Sequence, residues 1–320
     1  MRNKKRIILL ASAALLLCSC GGGGGTAPVR EISRRFPATS IPALYTDAEQ
    51  RAEYMSMHYW DAFFAGSYAS DSLHVNGVSM MEMEEQFASF ATLLGRVDIS
   101  LARKCADRLF HQVEAAQVSD SLSNVFEQFS RLARRYFFDP DSPYRNEDIY
   151  RPYLLGLVGS ALTPEDMKPS YAHEAQLCSL NPIGARAADF RWRDASKHDH
   201  TLYKVEAEWT LLFFSNPGCQ ACKEIIQALK ESPVLSEMVS QGRLAVVNVY
   251  IDEDIEAWYD YMDFYPTEWY NGYDPLYVIR GDVLYNVRAI PSLYLLDRDK
   301  TVVMKDAPQE RIFAFLTASR

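Results

Sequence analysis

Little in this chain could staple a fold, cross a membrane or grip a polyanion. Six cysteines in 320 residues are too few for a disulfide-stapled scaffold. Only Cys105, Cys178, Cys219 and Cys222 lie beyond the first 20 residues. Basic residues number 33 against 42 acidic ones, a net charge of −9, which makes nucleic acid a poor partner. The apolar run at residues 7–17 is too short to span a bilayer as a permanent helix. The N-terminal half shows no internal repeat. Apolar residues are plentiful at 48%, enough for real cores, and the length fits about two domains.

The reactive stretch is Leu211-Leu212-Phe213-Phe214-Ser215-Asn216-Pro217-Gly218-Cys219-Gln220-Ala221-Cys222. It opens as an unbroken apolar run, the pattern of a strand buried on both faces. Ser-Asn-Pro-Gly predicts a turn, and residues 223–230 follow helical spacing. Two thiols then stand at a helix entrance, where free N–H groups and the helix dipole favour a thiolate. The spacing lets them close into a disulfide, so the pair can give or take two electrons. In an oxidising compartment, redox chemistry is the better reading of such a pair than structural bracing.

The N-terminus reads as an export signal. Basic residues Arg2, Lys4, Lys5 and Arg6 precede the apolar run, as in a secretory leader. Leu17-Cys18-Ser19-Cys20 resembles the lipobox of bacterial lipoproteins, with Cys20 at the lipidated position. The resemblance implies that residues 1–19 are removed and that Cys20 is acylated and membrane-held. Residues 20–44, with glycines at 21–25, then form a flexible tether. No acidic residue directly follows Cys20, which in a Gram-negative lipoprotein implies the outer membrane, facing the periplasm. Cleavage leaves 29 basic against 42 acidic residues, a net −13.

Residues 45–178 are expected to form an all-α domain. Helices are predicted from Asp47 or Thr46 through Phe64, and over Met80–Leu94, 99–115, 121–138 and 148–157. A further helix is predicted to start at Thr163-Pro164, a cap followed by proline at the first helical position. Aromatics and methionines at helical spacing read as core. Cys105 reads as a small buried hydrophobe. His58, His111 and His173 are isolated and carry no role. The segment, including Phe138-Asp139-Pro140-Asp141-Ser142-Pro143-Tyr144-Arg145-Asn146-Glu147, resembles a helical domain of unknown function that precedes thioredoxin-like domains in envelope lipoproteins. It suggests a helical platform that positions or restricts the C-terminal domain.

Residues 179–320 alternate strands and helices, indicating an α/β sheet with covered faces. Strands are predicted over 186–192, 201–205, 209–215, 244–251, Ser292–Leu296 and 301–305, the last two as a hairpin through Asp297-Arg298-Asp299-Lys300. Helices are predicted over 219–230, Pro233–Ser240 and 308–317. The phrase Gly184-Ala185-Arg186-Ala187-Ala188-Asp189-Phe190, with Cys219-Gln220-Ala221-Cys222 and Ala289-Ile290-Pro291-Ser292, resembles the membrane-anchored thioredoxin-like oxidoreductases of the TlpA type. That resemblance implies a mixed sheet flanked by helices, with a cis proline at Pro291 facing the dithiol. Cys219 would attack, Cys222 would resolve, and the Ile290-Pro291 backbone would hold the bound polypeptide. The implied partners are disulfide-bonded proteins and an unidentified membrane electron donor, with no cofactor.

Three departures from the pattern stand out. Gly218 replaces the tryptophan before the first cysteine of thioredoxin. Phe213 stands where thioredoxin has a buried carboxylate, and Ile225 where TlpA-type proteins often have a glutamate, with Glu224 pointing to another helix face. Residues 252–286 form an aromatic-rich insertion, either packed on the sheet or lining a groove beside the dithiol. Zinc would need ligands beyond Cys219 and Cys222, and His198-Asp199-His200 is the only dense group; no metal is expected. No Thr-x-x-Cys supports a peroxidase. A non-catalytic interaction lipoprotein on a thioredoxin-like scaffold stays open, because the usual base is missing.

Overall fold

The computed structural model describes residues 33–319. Aspartate caps the first helix: Asp47 accepts from the amides of Glu49 and Gln50, filling donors a helix start leaves free. Helices α1 (Ala48–His58) and α2 (Asp61–Phe64) lead into a two-stranded ribbon, β1 (His74–Val75) and β2 (Val78–Ser79). Its loop is Asn76-Gly77, with φ of 47° and 80°, the positive pair a two-residue hairpin turn needs. The expectation of a wholly helical segment passed over this ribbon. Helices α3 (Met80–Leu94), α4 (Ile99–Ser119), α5 (Val125–Phe137), α6 (Glu147–Gly159) and α7 (Lys168–Cys178) complete the domain.

Aromatic rings fill its core. Trp60, Phe63, Phe87, Phe90 and Phe129 are all buried, and Trp60 meets Phe129 edge-on at 4.9 Å between centroids, the geometry ring quadrupoles favour. Cys105 is buried with its thiol 3.4 Å from Met57 Sδ, as a small hydrophobe would be. Thr163-Pro164 does not start a helix; the chain turns there, and α7 begins at Lys168 with Pro169 in its first turn. A helix running from 164 would have placed Pro169 where an N–H is needed, and proline has none.

The second half forms a seven-stranded sheet in the order β4-β3-β7-β6-β5-β8-β9. Its strands are β3 (Arg191–Arg193), β4 (Asp199–Thr201), β5 (Trp209–Phe214), β6 (Leu244–Tyr250), β7 (Tyr270–Tyr273), β8 (Ser292–Leu296) and β9 (Val302–Lys305). Parallel β5, β6 and β7 form its centre. β8 runs antiparallel to β5 and to β9. Helices α8 (Gln220–Glu231), α9 (Pro233–Ser240), α10 (Ile255–Asp260) and α11 (Gln309–Ala318) bury Ile225, Leu235, Trp258 and Ile312 on one face with Leu211, Phe213 and Val246. Leu212, Phe214, Val247 and Tyr294 point to the other face, against Phe190, Trp192 and Tyr285. This is a thioredoxin-like mixed sheet, as expected.

Three expectations shift. The strand predicted over 186–192 is formed only at Arg191–Arg193, with Arg186 making an isolated bridge to Thr301. The stretch predicted as a strand over 201–205 leaves the edge strand as a 3-10 turn at Leu202–Lys204, because an edge strand has one neighbour and the chain must fold back to Trp209. Strand β7 lies inside the aromatic insertion and was not foreseen. The helical and sheet halves belong to one compact unit.

Candidate active site

Buried strand β5 carries the chain to Phe214, after which Ser215 to Gly218 turn it into α8. Gly218 takes φ of +76°, a conformation that a side chain would oppose. Cys219 is the N-cap of α8, and its Sγ accepts from the amide of Cys222 at 3.1 Å. The two are joined as a disulfide with Cα atoms 5.2 Å apart. Cys219 is half-exposed, whereas Cys222 is buried. The buried stripe Cys222, Ile225, Ile226, Leu229 recurs at helical spacing and pins α8 on the sheet. One sulfur is thus reachable and faces free helix amides; the other is sheltered a turn further in.

Ile290-Pro291 is cis. Ser292, the next residue, pairs with Phe214 at the end of β5, so the proline loop lies at the strand end from which the cysteine turn departs. Ile290 is half-buried and packs with Cys219 against the same apolar cluster. The four residues singled out from the sequence therefore converge on one end of the sheet. Cys20 lies outside the described residues.

No carboxylate occupies the sheltered positions expected from related dithiols. Phe213 and Ile225 are buried and apolar, and Glu224 is exposed beside Gln220 Nε2 at 3.0 Å. On the face that packs α8, the buried polar groups are neutral. The Ser215 hydroxyl donates to Asn248 Oδ1 at 2.5 Å, Asn248 Nδ2 donates to Asn271 Oδ1 at 3.0 Å, and Asn271 Nδ2 donates to the Pro266 carbonyl at 2.7 Å. The nearby Tyr265 phenol is pushed up to about 12 by burial, so it stays protonated. The Asn248 signal was present in the sequence as one polar residue inside the apolar run Leu244–Tyr250.

Before Cys219, Asn216 Nδ2 donates to Asp252 Oδ2 at 2.5 Å, and Asp252 pairs with Arg280. A depression of about 510 Å³ opens there, lined by Asp252, Glu253, Asp254, Arg280, Tyr250 and Tyr277 among others. Most aromatics of the insertion do not line it: Trp258, Tyr265, Trp269 and Tyr285 are buried in the core. Packing explains these residues, while Tyr277 belongs to the groove. His198, Asp199 and His200 sit at the far edge of the sheet. Asp194 takes His200 Nε2 at 2.9 Å and Asp199 pairs with Arg193 Nε at 2.7 Å. No cluster of three or more metal-ligating side chains occurs among the described residues.

Comparisons with known proteins bear on the fold and the family. A domain of unknown function, DUF5106, matches residues 22–177. The crystal structure of a thioredoxin-like protein from Bacteroides caccae is 33% identical over 90% of this chain and 99% of its own, with a TM-score of 0.75. The chain belongs to the thioredoxin-like family. The C-terminal domain of an uncharacterized protein from Bacteroides fragilis is 43% identical, over 43% of this chain and 98% of its own, with a TM-score of 0.42. The thioredoxin domain of a thiol-disulfide oxidoreductase from Bacteroides vulgatus is 18% identical, over 42% and 97%, with a TM-score of 0.37. No curated protein matches. In this thioredoxin-like chain the helical domain of unknown function precedes the dithiol domain, the order that the sequence implied.

Proposed function

We propose that the protein is an envelope thiol–disulfide oxidoreductase that reduces disulfides in polypeptides. The observation that carries this is the half-exposed Cys219 at the start of α8, bonded to buried Cys222, with Ile290-Pro291 at the same strand end. In the reduced enzyme the Cys219 thiolate attacks one sulfur of a substrate disulfide. A mixed disulfide forms and one substrate thiolate leaves. Cys222, losing its proton, then attacks Cys219 Sγ, which releases the second substrate thiolate and closes the Cys219–Cys222 bond. Two electrons pass from the dithiol to the substrate. A membrane-held dithiol donor would return them by the same exchange run in the opposite sense.

Acylation at Cys20 would tether this domain to the outer membrane on its periplasmic side, a reading that rests on Leu17-Cys18-Ser19-Cys20. One observation favours a second reading: the neutral Ser215–Asn248–Asn271 chain in place of a buried carboxylate suits a binding module with slow exchange. The two part in an insulin-reduction assay with dithiothreitol as the regenerating reductant. The oxidoreductase accelerates chain release and Cys219→Ser abolishes the acceleration. Equal rates with wild type, Cys219→Ser and no protein would leave only the binding reading.

A further inference from the structure

A second buried polar constellation lies away from the sulfurs. Glu147, the first residue of α6, is 1% exposed. Its Oε1 lies 2.8 Å from Arg288 Nε and accepts from Asn286 Nδ2 at 2.5 Å, and its Oε2 lies 2.7 Å from Lys305 Nζ. Arg288 continues to Asp306 Oδ2 at 2.6 Å, with its guanidinium 4.3 Å from the Phe138 ring centroid. Asp306 Oδ1 accepts the Ser292 hydroxyl at 2.9 Å, and its main-chain oxygen accepts Arg145 Nε at 2.8 Å.

Chain order gives this network its meaning. Asn286 and Arg288 precede Ile290-Pro291, and Ser292 comes directly after it. Both flanks of the proline loop are held by charges whose anchors, Phe138, Arg145 and Glu147, belong to the helical domain. Buried ion pairs are costly to desolvate and are weak devices for stability alone. In some proteins such a network serves instead to fix one arrangement of the groups it joins. None of its hydrogen bonds or ion pairs reaches Cys219 or Cys222.

We infer that Glu147 is a positioning residue: through Arg288, Asp306 and Ser292 the helical domain holds the Ile290-Pro291 loop in register for a bound polypeptide. This rests on the oxidoreductase reading and gives the helical domain a task within it. The loop touches the polypeptide beside the disulfide, whereas a small disulfide needs only Cys219. Loosening the network therefore weakens polypeptide binding and spares the attack itself.

The test compares full-length wild type with Glu147→Gln and with Ser292→Ala, which removes one hydrogen bond and no charge. KM and kcat are measured with insulin, the rate of reaction of the reduced protein with 5,5′-dithiobis(2-nitrobenzoate) is measured alongside, and amide exchange is followed across residues 286–292. Expected are a rise in insulin KM of about fivefold or more for Glu147→Gln, with kcat within about twofold and the small-disulfide rate unchanged. Ser292→Ala moves KM the same way by less, and both variants exchange faster across the loop. Unchanged KM and unchanged exchange in folded variants overturn the inference. Equal losses with both disulfides overturn it too, since the network would then act on the thiols or the whole fold. If Glu147→Gln fails to fold, Ser292→Ala decides by the same criteria. If wild type does not reduce insulin, the oxidoreductase reading fails, and loop exchange alone decides: faster exchange in the variants supports positioning, unchanged exchange refutes it.

Discussion

Lys305→Met removes the ammonium that sits between the two halves of the molecule. Its side chain is 1% exposed, and Nζ reaches Glu147 Oε2 at 2.7 Å, the Cys178 carbonyl at 2.9 Å and the Leu180 carbonyl at 2.6 Å. Breaking one side of a buried ion pair costs about 3–5 kcal/mol, and two buried carbonyls lose their donor as well. At about 2 °C per kcal/mol for a chain this long, the melting midpoint falls by roughly 6–10 °C. The pH dependence has a definite sign. Burial holds the Glu147 carboxyl above its ordinary range, while Lys305 and Arg288 pull it back down. Without Lys305 it rises further. A carboxyl raised on folding contributes stability that is present at low pH and lost as pH rises through the raised value. The gap between wild type and Lys305→Met is therefore larger at pH 7 than at pH 5, because the carboxyl of the variant holds its proton to higher pH. The share due to the carbonyls does not titrate and persists. Urea unfolding followed by tryptophan fluorescence at both pH values measures the gap. Adding Glu147→Gln to Lys305→Met recovers part of the loss at pH 7. A gap below about 1 kcal/mol, in the range of an exposed pair, would refute the claim that Lys305 compensates a buried charge. So would an equal gap at both pH values.

Single sites carry the other expectations. A Cβ at Gly156 would lie 2.3 Å from Phe110 Cδ1 and 2.4 Å from Cγ, so Gly156→Ala overpacks the α4–α6 seam by about 1–3 kcal/mol. This outweighs the helix-propensity gain of about 1 kcal/mol, and thermal melting should show a net loss; a stabilised variant would mean that the seam is looser. In the reduced native protein, iodoacetamide at pH 8 should label Cys219 but not Cys105 or Cys178, with buried Cys222 labelled more slowly than Cys219. Burial pushes the Cys105 thiol up to about 12 and the Cys178 thiol up as well, so both stay protonated and enclosed; mass spectrometry that finds label there would contradict this. Cys20→Ala should abolish metabolic fatty-acid labelling, and labelling that survives would remove the lipid anchor.

The dithiol site was legible because its chemistry is local. A buried strand, a turn and a helix start sit within the dozen residues ending at Cys222, and each step has its own sequence signal. Pro291 was legible as a proline at the start of an apolar strand. The helix starts at Asp47 and Met80 could be read from capping residues and spacing, but Thr163-Pro164 misled, because Pro169 five residues later fixes where the helix can begin. Strand β7 was hidden: Tyr-Asn-Gly-Tyr has no run of β-branched residues, and only its neighbours β6 and β3 give it a sheet to join. The network around Glu147 was illegible for a different reason. Glu147, Arg288 and the adjacent Lys305-Asp306 come from three separate stretches of sequence with no pattern to link them, and only the fold makes them one buried group.

Disulfide reduction here requires Cys219 to attack and Cys222 to resolve, and trapping the mixed disulfide tests both roles at once. Reduced Cys222→Ser protein is mixed with a disulfide-bonded polypeptide such as insulin, quenched with acid, and examined by intact mass and non-reducing gel. A covalent Cys219–polypeptide adduct should accumulate and be released by dithiothreitol, with no adduct from Cys219→Ser. No adduct from Cys222→Ser, or one that forms equally through Cys222 in the Cys219→Ser protein, would contradict these roles.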